Sequence, residues 1–333
     1  MERSNIGLLL AGSETTYATD PTLSAAANII ACTRKGVAFA PKFTRISREI
    51  LDGSYGQVSG YNTMGIADLS FDVELRGNRT DGSAADISAG AIGHLIEIDP
   101  LLLACDLAAT YTPESTSGAR DGKVIYNPAI PSDQGKSVTF YWYSGSKLHK
   151  IVGAKGTFKL SLNAGKIPVF SFKFQGLYVA VTDASIPGSQ TWLNTKPPVF
   201  QSSTSVIDAY APTFTKLDFD LGNTITQRDD GTAANGIKGF LITDRKSSLT
   251  IDPESVTEAT KPLWANLAAS TSATVSATVG SQAGNEAKLT CTGEPVDVSY
   301  SDDKGLRRQP IKFEINRPTI GTTPGSEIAL QFN

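Results

Sequence analysis

Residues 136–178 constrain the fold most strongly, because apolar and polar side chains alternate along four successive runs. The alternating apolar side chains are Val138, Phe140 and Trp142, then Phe158, Leu160 and Leu162, then Phe170, Phe172 and Phe174. Side chains two residues apart lie on the same face of a strand, so each run has an apolar face and a polar face. Glycine-containing segments at 144–147, 153–156 and 163–166 have the length of hairpin turns. The stretch therefore predicts an antiparallel meander that is buried on one side.

Further strands and two short helices are predicted on either side of the meander. Residues 66–77 alternate, with Leu69, Phe71, Val73 and Leu75 inward, and strand-like runs follow at 217–221, 237–244, 248–252, 274–279, 287–292, 296–300 and 309–316. Asp99 before Pro100 predicts a helix with Asp99 as its N-cap, and a second helix is expected around 254–269. Residues 1–60 are expected to form an extended arm, with loops at 53–65 and 111–135.

The two halves of the chain resemble each other. The sequence LSFD at 69–72 matches LTID at 249–252, and each is followed by a proline-led, leucine-rich helical segment. Between the halves, residues 182–212 are rich in proline, serine and threonine, and proline cannot donate to a sheet ladder. The pattern predicts an internal duplication, with domains at 1–185 and 213–333 and a linker at 186–212.

Composition excludes several classes of protein. A net charge of −3 argues against a surface that coats nucleic acid, which would be strongly basic. The three cysteines, Cys32, Cys105 and Cys291, are far apart and form no metal-binding motif, which predicts reduced, buried thiols in a reducing cytoplasm. No apolar run approaches the length of a membrane span, so we expect a protein outside the membrane.

Catalytic motifs are weak throughout. Gly135-Lys136-Ser137 resembles the end of a phosphate loop, but it opens a strand rather than a helix. The two histidines, His94 and His149, lack the surroundings of a triad, and packing or surface roles are expected for both. Asp302 and Asp303 read as a hairpin turn, and the Asn78 glycosylation pattern has meaning only in a secretory pathway. We expect no enzyme activity and no cofactor.

Several blocks of sequence resemble the major tail tube protein of long-tailed, non-contractile bacteriophages. They are ETTYATDP at 14–21, LSFDVELRG at 69–77, PLLLACDL at 100–107, the meander, LGN at 221–223 and GFLITDRK at 239–246. The resemblance implies a β-sandwich or barrel core with a flanking helix, in subunits that form stacked rings around a conduit for double-stranded DNA. Together with the duplication, it predicts two tandem domains of this kind. It also implies contacts with the tape measure, tail terminator and tail tip proteins, with assembly in the host cytoplasm and a place in the virion tail.

Two alternatives stay open at this level. One is a ring-forming tube protein of a type VI-like secretion system, which would share the fold. The other is a carbohydrate-binding β-sandwich of a tail fibre, which would need exposed aromatic side chains. Tyr141 and Tyr143, expected on the outward face of their strand, are its clustered candidates.

Three expectations follow for a tube. A lumen that passes DNA should be acidic, because lysine or arginine would bind phosphates, and Asp72, Glu74, Asp218 and Asp220 are the candidate lumen residues. If both halves are tube domains, a ring needs three copies rather than six. Residues 1–23, 53–65 and 321–333, which are poor in apolar side chains, should become ordered only when rings stack.

Overall fold

The computed structural model describes residues 6–34, 36–77, 96–112, 122–129, 136–282, 284–317 and 325–333. The strands of the first half are β1 (Gly7–Ser13), β2 (Ile29–Ile30), β3 (Ala38–Arg48), β4 (Val58–Glu74), β5 (Leu107–Thr112), β6 (Lys123–Pro128), β7 (Val138–Ser144), β8 (Lys147–Asn163) and β9 (Val169–Asp183). Those of the second half are β10 (Ser205–Ile207), β11 (Phe214–Asp220), β12 (Asn223–Asp229), β13 (Ile237–Arg245), β14 (Ser248–Pro253), β15 (Ala273–Val279), β16 (Ala287–Val298), β17 (Ser301–Asp303), β18 (Leu306–Arg308), β19 (Ile311–Ile315) and β20 (Ile328–Phe332). The helices are α1 (Asp99–Ala104) and α2 (Leu263–Ala268). The prediction of a mainly antiparallel β protein with two short helices is confirmed.

A central sheet runs through both halves of the chain. Its strands lie in the order β3-β4-β9-β8-β11-β14-β19-β16, and every neighbouring pair is antiparallel. The predicted alternation of residues 66–77 is confirmed, with Leu69, Phe71 and Val73 buried in β4. The inward phenylalanines meet across the strands: the ring centroids of Phe71 and Phe172, and of Phe172 and Phe158, lie 5.7 Å apart. One hydrophobic cluster therefore spans the division between the halves.

The two halves repeat one order of strands. From its outer edge the first half reads β3-β4-β9-β8, and the second half continues with β11-β14-β19-β16. The registers correspond as well, because Phe39 of β3 lies opposite Leu69 of β4, and Phe219 of β11 lies opposite Leu249 of β14. The matching LSFD and LTID segments thus occupy equivalent strands, and each is followed by its helix. The division into domains at 1–185 and 213–333 stays a prediction.

Strand β8 is continuous where the sequence predicted a turn at 153–156, and that prediction is wrong. Gly153 takes a left-handed φ of 63°, and the register with β7 and β9 shifts beside it. Such a bulge bends a strand without ending it. The first part of β8 therefore pairs with β7, and the part after the bulge pairs with β11.

The predicted arm and loops contain strands that the sequence did not reveal. β1 is buried between β2 and β7, so residues 7–13 are not an arm, and β20 pairs with β16 and β6 at the other terminus. β6 lies inside the predicted loop at 111–135, and β4 begins inside the loop predicted at 53–65. The linker at 186–212 contains β10, which pairs with β15 of the second half. Each of these strands is short or polar at its ends, and distant pairing decides it.

The helices are shorter than predicted. Asp99 is the first residue of α1 rather than its N-cap, and its carboxylate accepts a hydrogen bond from Tyr126 at 2.6 Å. The helix ends before Asp106, whose left-handed φ of 64° turns the chain into β5. In the second half, the helix expected around 254–269 is limited to α2, because residues 254–262 run past β18 and a short turn first.

The cysteines, His149 and the predicted hairpin at 302–305 can be compared with the structure. Cys105 and Cys291 are free and buried, as predicted, whereas Cys32 is free but only half-buried. His149 packs its ring against Phe39 with centroids 4.7 Å apart, in agreement with a packing role. The predicted hairpin is present, but Asp302 and Asp303 lie at the end of β17 and the turn itself is Lys304-Gly305. Asn78, His94 and Gly135 lie outside the described residues.

Candidate functional site

The candidate site is the polar face of the central sheet, which we define as the outward residues of the strands from β4 to β16. Asp72 and Glu74 project from β4 on this face, and Asp218 and Asp220 project from β11. Their inward neighbours are buried, which fixes the orientation of these four side chains by the two-residue period of a strand. The structure thus places all four predicted candidates on one surface.

Cross-strand register arranges these carboxylates in two rows. Asp72 lies opposite Ser171, which lies opposite Lys159, which lies opposite Asp220. Glu74 begins the neighbouring row, which continues through Val169 and Ser161 to Asp218. Both rows run perpendicular to the strands, so in a barrel whose strands tilt by ~40° they would wind around the wall at a similar angle to the circumference.

Lysines alternate with the carboxylates, a feature that the sequence did not disclose. The Lys159 ammonium lies 2.7 Å from an Asp220 oxygen, and that of Lys216 lies 2.5 Å from an Asp218 oxygen. The Ser161 hydroxyl also donates to Asp218 at 2.8 Å. Pairs this exposed contribute about 0–1 kcal/mol each to stability. Their larger effect is that each paired lysine offers less free charge to a passing anion.

Carboxylates outnumber ammonium groups on the polar face. Within the segments that pair in the central sheet (residues 38–42, 66–74, 157–163, 169–177, 214–220, 248–253, 293–298 and 311–315), the outward acidic residues are Asp68, Asp72, Glu74, Asp218, Asp220, Asp252, Glu294, Asp297 and Glu314, and the outward basic residues are Lys42, Lys159, Lys173, Lys216 and Lys312. The excess is spread over both halves rather than concentrated at one point. The face therefore carries a negative potential that is spread over the sheet and does not form a discrete binding site.

No discrete chemical centre accompanies this face in the part of the chain that the structure describes. No group of three or more His, Cys, Asp or Glu side chains there is placed to hold a metal ion. Nor does any described helix have the length and apolar character needed to cross a membrane.

A buried polar cluster lies beside the bulge of β8, formed by residues from the segment at 14–21. The Glu14 carboxylate accepts hydrogen bonds from the Thr139 hydroxyl at 2.6 Å and from the Gly153 amide at 2.7 Å. The Tyr17 hydroxyl donates to the Gly153 carbonyl at 2.9 Å and accepts from the Phe240 amide at 2.7 Å. Burial raises the pKa of the Tyr17 phenol to about 12. This cluster fastens the N-terminal segment to strands of both halves.

A second set of contacts joins α1 to the second half. The Asn223 amide donates to the carbonyls of Cys105 at 2.7 Å and of Gly156 at 3.0 Å. The Arg245 guanidinium donates to the Asp106 carbonyl at 3.0 Å and to Asn223 at 3.1 Å. Side chains from β12 and β13 thereby satisfy the carbonyls of the two residues that follow α1. Blocks that resembled the tail tube family at 100–107, 221–223 and 239–246 meet at this point.

The β3–β4 ribbon, residues 43–48 with 58–65, extends beyond the rest of the sheet. Phe43, Ile46 and Tyr61 are about half exposed on it, and Tyr55 at its tip is fully exposed. Its backbone pairing is irregular, with register shifts at two places. A two-stranded ribbon is at best marginally stable in water, so this one is expected to be covered by another molecule.

A family model for phage tail tube proteins matches residues 4–333, nearly the whole chain. The chain belongs to the phage tail tube protein family. A search of curated proteins found no match. As a member of this family, the protein is a structural component of the virion tail, where it assembles with itself and with other tail proteins.

The tyrosines on which the carbohydrate-binding alternative depended are not exposed. Tyr141 and Tyr143 are buried, at 5% and 7% exposure, in a cluster with Leu8 and Leu10 of β1. The expectation that they are exposed is wrong, because the segment after β1, with Leu23 and Ala25, and Ile186 pack on that face of β7. These two side chains therefore offer no platform on which a sugar could stack.

Proposed function

We propose that three copies of this protein form each ring of the tail tube of a long-tailed, non-contractile phage. Stacked rings would form the conduit through which double-stranded DNA is ejected into the host. In this proposal the protein has no catalytic role and needs no cofactor. It assembles in the host cytoplasm around the tape measure protein and is bounded by the tail terminator and tail tip proteins, as its family resemblance implies.

The repeated strand order of the central sheet carries the proposal. Each chain contributes two sets of four strands in the same order, and the junction between the sets is made inside the chain by β8 and β11. Two edges have no partner strand among the described residues: the edge of β3 that faces away from β4, and the edge of residues 299–303 that faces away from β18. A head-to-tail ring would pair these edges and close the sheet.

Barrel geometry favours three copies of such a sheet. Eight strands from each of three chains give a barrel of about 24 strands, and strands ~4.8 Å apart with a tilt of ~40° give a diameter of roughly 48 Å between backbones. Side chains reduce the bore to just under ~40 Å. A DNA duplex, roughly 20 Å wide, passes such a bore with its hydration layer, whereas a barrel of half the size would exclude it.

The polar face is the proposed lumen. Its excess of carboxylates repels phosphates, and the ion pairs of Lys159 with Asp220 and of Lys216 with Asp218 reduce the free positive charge. Lysine and arginine that bind phosphates release counterions and gain affinity, which would retain a moving genome. An acidic wall with paired lysines avoids this retention.

Electron microscopy of the purified protein at rising concentration tests the proposal. We expect tubes of uniform diameter with a continuous central channel. A protein that stays dispersed at all concentrations would contradict tube formation. Ring-shaped complexes exported by a secretion apparatus, without association with virions, would instead favour the type VI-like alternative.

A further inference from the structure

The free edge of β17 in the second half corresponds to the edge of β8 in the first half, which already pairs with β11. In the first half, β8 and β9 form a hairpin in which Ser161 lies opposite Val169. In the second half, Val298 lies opposite Ile311, the Ser299 amide donates to the Pro310 carbonyl, and Ser301 lies opposite Arg308. The β16–β17 segment therefore follows the path of β8, and Ser301 takes the place of Ser161.

The edge of β8 that faces away from β9 shows which kind of strand pairs at this position. β11 pairs there, with Asp218 opposite Ser161 and Phe219 opposite Leu160. The corresponding side of residues 299–303 has no partner strand within the described residues. Unpaired strand edges expose backbone donors and acceptors, and proteins cover them or use them for association.

The first-half equivalent of β11 is β3. Both strands precede the LSFD or LTID strand, and both place a phenylalanine opposite its first leucine, Phe39 in β3 and Phe219 in β11. β3 is paired on its β4 side, and its other edge is open among the described residues. One chain thus carries an open β11-like edge and an open β8-like edge at opposite ends of the same sheet.

We infer that β3 of one copy pairs antiparallel with the β17 edge of a second copy, in the register that β11 and β8 use within the chain. This register places Ala38 opposite Ser301, Phe39 opposite Tyr300 and Ala40 opposite Ser299. The inference rests on the proposed ring and specifies its contact. The pairing of β11 with β8 inside the chain is thus the model for the pairing of β3 with β17 between copies.

Side chains at the open edge fit such a partner. Tyr300 is half exposed, with its ring 5.4 Å from that of Trp264 and with the Arg307 guanidinium 4.1 Å above it. Leu160, which occupies the equivalent place in the first half, is buried, because Phe219 of β11 lies opposite it. Phe39 of a second copy would cover Tyr300 in the same way.

Uncharged side chains face each other on the polar side of the same contact. The Asp303 carboxylate at the end of β17 is already paired within the chain, with the Arg308 guanidinium 3.1 Å away. The polar-face positions at this contact are Ala38, Ala40, Ser299 and Ser301, so it lacks the lysine–aspartate pair that joins β8 to β11.

Disulfide trapping in assembled tubes tests the register. Residues directly opposite in an antiparallel pair have Cα atoms ~4.5–5.5 Å apart, within the span of a disulfide, whereas positions two residues out of register are too far apart. The full-length variants A38C/S301C and A40C/S299C are assembled under reducing conditions and then oxidised. A38C/S299C is the matched control, and all four positions are exposed in the subunit.

We expect both matched pairs, but not the control, to form interchain disulfides that are absent from the single variants. Tubes in which the control cross-links as efficiently, or in which neither matched pair does, would overturn the register and leave the tube function intact. Absence of tubes from the unmodified protein would overturn both. Hydrogen exchange of the unmodified protein gives a second measurement: amides of residues 38–40 should exchange more slowly in tubes than in subunits, and equal rates would refute the contact.

Discussion

At the scale of single residues, the ion pairs on the polar face determine how much positive charge the proposed lumen offers to DNA. Asp218 and Asp220 hold Lys216 and Lys159, so replacing both aspartates with lysine adds positive charge and also frees two ammonium groups. Virions with D218K/D220K tubes should eject DNA more slowly, and the delay should shrink as salt rises, because phosphate binding releases counterions. Single-virion ejection kinetics at two salt concentrations measure both effects.

The matched control for that variant is D229K/D230K, with both changes beyond the central sheet at the end of β12 and in the turn after it. It makes the same change of net charge away from the proposed lumen. Equal ejection rates for the two double variants in well-formed virions would contradict the assignment of the polar face to the lumen.

Tyr17 provides a test of the buried polar cluster. Replacing Tyr17 with phenylalanine removes a donor to the Gly153 carbonyl and an acceptor for the Phe240 amide. A buried backbone group left without its partner costs about 1–3 kcal/mol, so the melting temperature of the subunit should fall. The control is Y55F, because the Tyr55 side chain is fully exposed. Equal melting temperatures for Y17F and Y55F would show that these hydrogen bonds of Tyr17 add nothing to stability.

Sequence reasoning found the carboxylates of the site but not their partners. The parity of Asp72 and Glu74, and of Asp218 and Asp220, follows directly from strand alternation. The pairing of Lys159 with Asp220 depends on the register between strands that lie far apart in the chain, which alternation does not specify. Glu14 and Tyr17 stood in a block that resembled the family, yet their hydrogen bonds reach β7, β8 and β13, and no local pattern predicts such contacts.

At the scale of elements, the bulge of β8 allows one strand to pair with β7 and then with β11. Gly153 has a left-handed φ of 63°, and a Cβ there would lie 2.8 Å from an atom of the Tyr17 ring. Gly165 has a similar φ of 71° but open space around it. Alanine at either position carries a backbone penalty of about 1–2 kcal/mol.

We expect G153A to be destabilised by a further ~1–3 kcal/mol relative to G165A, because the added methyl group also displaces a packed ring. Urea unfolding of the two variants measures the difference. Equal free energies of unfolding for G153A and G165A would mean that the bulge tolerates a side chain and that packing of Tyr17 does not stabilise the bulge.

The terminal strands and the β3–β4 ribbon differ in what orders them. β1 and β20 are buried within the subunit, which contradicts the expectation that residues 7–13 and 328–332 become ordered only on stacking. In the described part of the subunit, the ribbon is mostly exposed beyond the contact of Phe43 with Tyr178. Its amides should therefore exchange rapidly in the soluble protein and slowly in tubes, while those of β20 are protected in both.

Hydrogen exchange on subunits and tubes measures this contrast, with β20 as the internal control. Ribbon amides that exchange equally fast in both states would remove the ribbon from the contacts between rings. The misassigned termini have a simple cause: β20 has only five residues, and its burial comes from pairing with β16 and β6 rather than from its own composition.

At the scale of the whole molecule, the two halves form one continuous sheet with a repeated strand order. The sequence indicated the duplication through LSFD and LTID and through the two proline-led helical segments. It did not indicate that β8 and β11 would join the halves, since the segment between them resembles a linker between separate domains. Edge pairing of this kind is a long-range property, and it supplies the internal template for the proposed ring.

Helical reconstruction of assembled tubes by electron cryomicroscopy tests the central claim most directly. We predict rings with threefold symmetry, an inner barrel with eight strands from each chain, and Asp72, Glu74, Asp218 and Asp220 facing the channel. Rings of six chains with four inner strands each, or a tube whose channel is lined by another surface, would contradict the account.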